Sequence, residues 1–370
     1  MEYTYTRTNI MLNTNRVSIF GKQNKSAAVD AKKAMGASKR RGLKDITNKF
    51  FRSDRTSKHD AKKPAQKRPG KLPSLSSKSS MSDEASSLAP RLSKIRINTG
   101  KSSVKDIDAK DRNDPQAVTE YVNDIMTYFR KIEGMNGPSP NFMSKQPHIN
   151  FKMRSILIDW LVEVHLKFKL MPETLYLTVN LIDRFLERKI VARQRLQLVG
   201  VTCMLLASKY EEIYFPEVRD FVYITDRAYT RHQILQMESL VLNTLGFELT
   251  VPTTIVFAKR FLKAGGASDT TKNLGLYFCE RTLQEYTMLK YKPSTIAAAC
   301  VSLALKANNQ PHWTPTLKSY TNYAQADLEP CMKEIRSMIL SRGSLQAVKK
   351  KYSSSKFSRV AQIPSSINMN

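Results

Sequence analysis

Residues 153–164 read Met153-Arg154-Ser155-Ile156-Leu157-Ile158-Asp159-Trp160-Leu161-Val162-Glu163-Val164. Apolar side chains fall on nearly every face of a 3.6-residue period, so the stretch predicts a buried central helix with others packed around it. Arg154 and Asp159 interrupt the pattern. A charge among residues that expect burial is tolerated only when paired or hydrogen-bonded, so each requires a partner elsewhere in the chain. Asp183, within Leu181-Ile182-Asp183-Arg184-Phe185, is the candidate partner for Arg154.

On the C-terminal side of this stretch, helical patterns follow one another with short breaks at Met171-Pro172, Phe215-Pro216, Thr225-Asp226 and Thr250-Val251-Pro252, and none alternates as a strand does. The body is predicted to be all helical. Thr202-Cys203-Met204-Leu205-Leu206-Ala207-Ser208-Lys209 recurs as Ala299-Cys300-Val301-Ser302-Leu303-Ala304-Leu305-Lys306, an internal echo consistent with two stacked units. On the N-terminal side, Asp114-Pro115 offers a helix cap and a first-turn proline ahead of Val118, Tyr121, Val122, Ile125, Met126 and Phe129 at helical spacing. Gly134 and Gly137-Pro138-Ser139-Pro140 end that helix.

Charge divides the chain. Residues 1–110 hold 26 Lys and Arg against 9 Asp and Glu, a net +17 out of the chain's +28, and show no sustained helical or strand period. Such a segment cannot bury enough surface to stay ordered, so it reads as a disordered basic tail. The remaining residues carry about +11, a moderate surplus for a folded body. The predicted divisions are the tail at 1–110, a first helical unit at 111–250, a second at 251–345, and a disordered end at 346–370.

No apolar run approaches the 18 residues of a membrane span, and no secretory signal layout opens the chain, which reads as an intracellular soluble protein. Cys203, Cys279, Cys300 and Cys331 lie singly inside apolar helical patterns, as reduced core cysteines do, without metal-ligand spacing. No cofactor or metal is expected. Glu211-Glu212 and the five histidines form no acid–base or nucleophilic constellation, so the chain is not read as an enzyme, and the two glutamates read as a solvated helix end.

Together with His165-Leu166-Lys167-Phe168, Leu196-Gln197-Leu198-Val199-Gly200, Met204-Leu205-Leu206-Ala207-Ser208-Lys209-Tyr210-Glu211-Glu212 and Met237-Glu238-Ser239-Leu240-Val241-Leu242, the 153–164 stretch resembles the cyclin box, ungapped through about a hundred residues. The chain is similar to mitotic B-type cyclins. The resemblance implies two tandem five-helix repeats preceded by an N-terminal helix, and a regulatory subunit that binds and activates a cyclin-dependent kinase at the G2/M transition.

By the same resemblance, Lys209 and Glu238 hydrogen-bond backbone groups of the kinase, Leu206, Tyr210 and Leu242 form an apolar socket, and Tyr121, Ile125 and Tyr128 brace further contacts. Read without it, Leu206 and Leu242 are core leucines. Met153, Ile156, Leu157 and Trp160 form one helical stripe, which is a core stripe by default. The resemblance makes it, with Leu196, Gln197 and Glu163, a docking patch for Arg-x-Leu motifs of substrates or inhibitors.

In the tail, Arg40, Leu43, Ile46 and Asn48 fit the extended R-x-x-L-x-x-I-x-N form of a destruction box read by a mitotic ubiquitin ligase; the short form recurs at Arg154, Arg193 and Arg342. The family places the protein in nucleus and cytoplasm, and the tail's basic clusters could serve nuclear import. Direct nucleic-acid or membrane binding is not expected. Two alternatives stay open: an A-type cyclin, and a cyclin-fold transcription factor that binds nucleic acid, although that family opens with a zinc ribbon and no cysteine precedes Cys203.

Overall fold

A computed structural model describes residues 104–135, 137–341 and 343–365. Helices account for the regular structure among these residues. After a 3-10 turn at Pro115–Ala117 come α1 (Val122–Ile132), α2 (Phe151–Phe168), α3 (Pro172–Arg188), α4 (Leu196–Glu211), α5 (Val218–Ile224), α6 (Arg231–Leu245), α7 (Thr254–Ala264), α8 (Asp269–Gln284), α9 (Pro293–Ala307), α10 (Pro315–Thr321), α11 (Gln325–Leu340) and α12 (Ala347–Tyr352). Helices α2–α6 and α7–α11 are the two five-helix repeats. The internal echo falls on α4 and α9, the third helix of each.

Burial places the centre of the first repeat on α4 rather than on α2. In α4 every residue from Leu198 to Ser208 is buried, whereas α2 keeps Met153, Ile156, Asp159 and Trp160 half-buried and Glu163 exposed. The reason lies in composition: Gly200, Cys203, Ala207 and Ser208 are small enough for neighbours to close in on all sides. A Cβ on Gly200 would come within 2.8 Å of Leu157 Cδ1, so glycine there sets how closely α2 lies on α4.

Local signals fix the helix ends. Asn150 accepts from Met153 N at 3.0 Å to cap α2, and Thr230 with Gln233 forms a capping box on α6. Prolines at the first turns of α3, α9 and α10 open those helices without losing an internal hydrogen bond. Glu212, read from sequence as solvated, instead accepts from Met171 N at 2.7 Å and from Thr174 Oγ1, capping the start of α3.

Three boundaries differ from the sequence reading. Asp114 and Pro115 start only a single 3-10 turn, because Val118 adopts φ +47°, and α1 proper begins at Val122. The folded body begins before residue 111: Asp108 is buried and ion-paired to α7. Residues 347–365 are also structured. Val348 and Val360 are fully buried, and Lys351 of α12 is buried against Glu280 of α8 at 2.6 Å, with Tyr352 Oη donating to the same carboxylate at 3.1 Å. A lysine-rich end packs because its one inward lysine meets a buried carboxylate.

Candidate functional site

Two charges of α2, the buried Arg154 and the half-buried Asp159, hold its outer face in place. Arg154, 1% exposed, donates from Nε and Nη2 to the two Asp183 carboxylate oxygens at 2.6 and 2.7 Å, and from Nη1 to the Leu283 carbonyl at 3.1 Å. One guanidinium thereby joins α2, α3 and the end of α8, and the bidentate geometry suits Arg better than Lys. Asp159 accepts from Gln284 Nε2 at 2.6 Å and from Ala347 N at 2.9 Å, so it tethers the second repeat and caps α12.

The stripe carried by α2 is divided. Met153, Ile156 and Trp160 are half-buried and Glu163 is exposed, while Leu157 and Leu196 are only 3% and 5% exposed. The accessible apolar surface of α2 is therefore Met153, Ile156 and Trp160, Leu157 and Leu196 are buried, and the polar Gln197 at the start of α4 is half-buried.

A second face gathers the end of α4, the middle of α6 and the link between the repeats. Lys209 Nζ donates to Glu238 Oε1 at 2.7 Å, tying α4 to α6, with the glutamate side chain 14% exposed and the lysine 37%. Tyr210 Oη meets Thr250 Oγ1 in a hydrogen bond that ties α4 to the inter-repeat link. Leu206 is buried at 4% and packs within the core, and Leu242 is half-buried.

Ile213, Tyr214 and Phe215 follow α4 in the chain with large exposed side chains, and Phe247, just past α6, is 64% exposed. Phe247 was not singled out from sequence. It follows Gly246, both at positive φ (+61° and +63°), and its N–H donates to the Leu242 carbonyl at 3.0 Å. A bulky residue held in the left-handed region costs about 1–3 kcal/mol of strain. The glycine that ends α6 was the available signal.

Tyr121 and Tyr128 on the α1 segment are 54% and 56% exposed, and Ile125 is half-buried. Tyr121 is the cap residue just before the helix. Arg40, Leu43, Ile46 and Asn48 lie outside the described residues. No group of His, Cys, Asp and Glu side chains suited to a metal occurs among the described residues. The four cysteines are buried free thiols, and burial pushes Cys331 up to about 12, far from nucleophilic use at neutral pH.

Family models agree with this architecture: the Cyclin, N-terminal domain model matches residues 124–250 and the Cyclin, C-terminal domain model residues 252–366. The chain is 46% identical over 267 residues to the G2/mitotic-specific cyclin-2 of Medicago sativa, covering 70% of this chain and 80% of that protein. It belongs to the cyclin family, in the mitotic B-type branch. The G2/mitotic-specific cyclin-B of Spisula solidissima is 48% identical over 263 residues, 70% of this chain and 61% of that protein, so the match spans under two thirds of that relative. Among solved structures, the viral cyclin from herpesvirus saimiri superposes with TM-score 0.53 at 17% identity, covering 58% of this chain and 96% of that one, a likeness of fold. The second family model reaches residue 366, so the packed segment after α11 belongs to this cyclin's C-terminal domain.

Proposed function

We propose that this cyclin is the regulatory subunit of a cyclin-dependent kinase acting at entry into mitosis, and that it is not itself an enzyme. The observation that carries the reading is the Lys209–Glu238 pair, held across α4 and α6, with exposed Tyr210, Tyr214 and Phe215 following Lys209 in the chain and exposed Phe247 just past α6. In the unbound chain the two charges satisfy each other. A kinase helix presenting backbone N–H and C=O groups would draw them apart into charge-assisted bonds, while the aromatic side chains bury apolar surface around them. The rigid helical body then acts as a template: it holds the kinase helix that bears the ATP-positioning glutamate and orders the activation loop.

The half-buried Met153, Ile156 and Trp160, with exposed Glu163 available to an arginine, support docking of Arg-x-Leu segments. Arg40, Leu43, Ile46 and Asn48 in the basic tail support removal by a mitotic ubiquitin ligase, and the family's nuclear and cytoplasmic distribution is proposed for this chain too. The test is to mix the full chain with a purified cyclin-dependent kinase catalytic subunit, then measure complex formation and histone phosphorylation. A stoichiometric complex with raised activity is expected; two species that elute apart, with basal activity, would overturn the proposal.

A further inference from the structure

The acidic residues just before α1 stand out in a chain of net charge +28. Asp108 is 7% exposed, and its two carboxylate oxygens take Nη1 and Nη2 of Arg260, each at 2.6 Å. Lys263 Nζ adds bonds to Asp108 and to Asp111, both at 2.6 Å, and Asp106 accepts from Asp108 N at 2.9 Å to hold the turn. Arg260 continues to Asn123 Oδ1 at 3.2 Å and lies 5.0 Å from the centre of the Tyr320 ring.

The rest of the arm anchors to the same repeat. Arg130 of α1 donates to the Tyr320 and Thr321 carbonyls at the end of α10 and packs 5.4 Å from the Tyr323 ring centre. Glu133, buried just past α1, accepts from Ser294 N at 2.9 Å and Ser294 Oγ at 2.8 Å in the first turn of α9. Lys105 N reaches Thr316 Oγ1 at 3.0 Å. These anchors go to α7, α9 and α10, all in the second repeat, while Tyr121 and Tyr128 remain exposed.

We propose that Asp108, clamped by Arg260 and Lys263, is a positioning residue that fixes α1 on the second repeat and so presents Tyr121 and Tyr128 to the kinase. The inference rests on the proposed kinase-binding function. It gives the second repeat a part in partner binding, although the residues assigned to the kinase contact lie in α1 and the first repeat. Burial by itself raises the Asp108 carboxyl, but the bonds and charges of Arg260 and Lys263 outweigh this and hold it below the ordinary carboxylate range, so the clamp is charged at neutral pH.

Two quantities are measured on the full chain: hydrogen exchange in residues 118–132 and the dissociation constant for the kinase. Asp108→Asn keeps the shape and removes the charge. It should speed exchange in α1 while leaving α2–α6 protected, and weaken kinase binding about tenfold, the loss expected if α1 is in place one tenth of the time. Lys263→Met, which removes only the outer, half-exposed part of the clamp, should move both readouts in the same direction by a smaller factor, and serves if Asp108→Asn does not fold.

Tyr121→Ala with Tyr128→Ala should weaken binding too. Adding Asp108→Asn to that double variant should then cost less than about threefold more, because residues acting through one element are not additive. Unchanged exchange and affinity in Asp108→Asn and Lys263→Met, or a full further tenfold loss on the tyrosine background, would overturn the proposal. Wild-type binding by the tyrosine double variant would remove α1 from the kinase contact and the clamp's role with it. Failure of the clamp alone is distinct, because the tyrosine variant is then still impaired.

Discussion

Removing one partner of the buried Arg154–Asp183 pair should show how much of the fold rests on it. Asp183→Ala leaves a guanidinium that is 1% exposed with its Leu283 bond and no countercharge. Stranding a charge in this way costs about 3–5 kcal/mol. For a body of this size each kcal/mol lowers Tm by about 2–4 °C, so the midpoint should fall by roughly 6–20 °C. Arg154→Met with Asp183→Leu removes both charges and leaves the Leu283 carbonyl without its donor, which costs about 1–3 kcal/mol, while relief of desolvation works in the opposite direction. The double variant should therefore be about 2 kcal/mol more stable than Asp183→Ala, the difference between the middles of the two ranges. Equilibrium denaturation in urea, with the midpoint and slope compared across the set, measures this directly. A loss below about 1 kcal/mol in Asp183→Ala, or a double variant as unstable as the sum of the two singles, would refute the reasoning.

Other consequences are as specific. Lys351→Ala should cost about 3–5 kcal/mol in the same assay, since Glu280 is left buried with the Tyr352 hydroxyl but no countercharge; a change within about 0.5 kcal/mol would mean that the 347–365 segment does not pack as described. His165 is buried, with Nε2 on the Met171 carbonyl at 3.1 Å, and burial pushes its pKa down to about 3. The unfolded chain takes up a proton near pH 6.5 while the folded one does not, so stability declines from about pH 6.5 toward pH 3 by about 1.4 kcal/mol per pH unit from this group. His165→Gln should flatten that part of the curve, and identical pH profiles would contradict it. Trp160→Ala should raise KM for Arg-x-Leu substrates several-fold, with short peptides lacking the motif unaffected; an equal effect on both substrate classes would place Trp160 outside docking. Arg40→Ala with Leu43→Ala should stabilise the protein through mitotic exit, and wild-type turnover in extract from exiting cells would defeat the destruction-box reading.

The helical body was legible because its signals are local. Proline openings, the breaks between helices, and the small residues shared by α4 and α9 all act within a few positions of one another. Buried charge outside an apolar run was not. Arg154 and Asp159 stood out against the residues around them, so their need for partners could be read. Asp108 and Lys351 sit among other polar residues and so look solvated, although their partners wait 152 and 71 residues away. The same limit explains the two boundaries placed too far inward at the ends of the body.

The stripe on α2 shows a second limit. An i, i+3, i+4, i+7 pattern states which residues share a face but not how far a neighbour covers it, so Leu157, which meets Gly200, could not be told from the half-buried Met153 and Trp160. Phe247 escaped notice because its exposure follows from a left-handed turn, a backbone state that the sequence marks only through the preceding glycine.

The central claim is that the α4–α6 face binds a kinase through Lys209 and Glu238. The most direct measurement is the equilibrium affinity of the full chain for a cyclin-dependent kinase catalytic subunit, wild type against Lys209→Ala with Glu238→Ala. Both side chains reach solvent, at 37% and 14%, so their loss should leave the helical fold and thermal transition near wild type. Each substitution strands partner groups in a desolvated contact, so affinity should fall by at least about a hundredfold. A double variant that folds normally and binds the kinase with wild-type affinity would contradict the account.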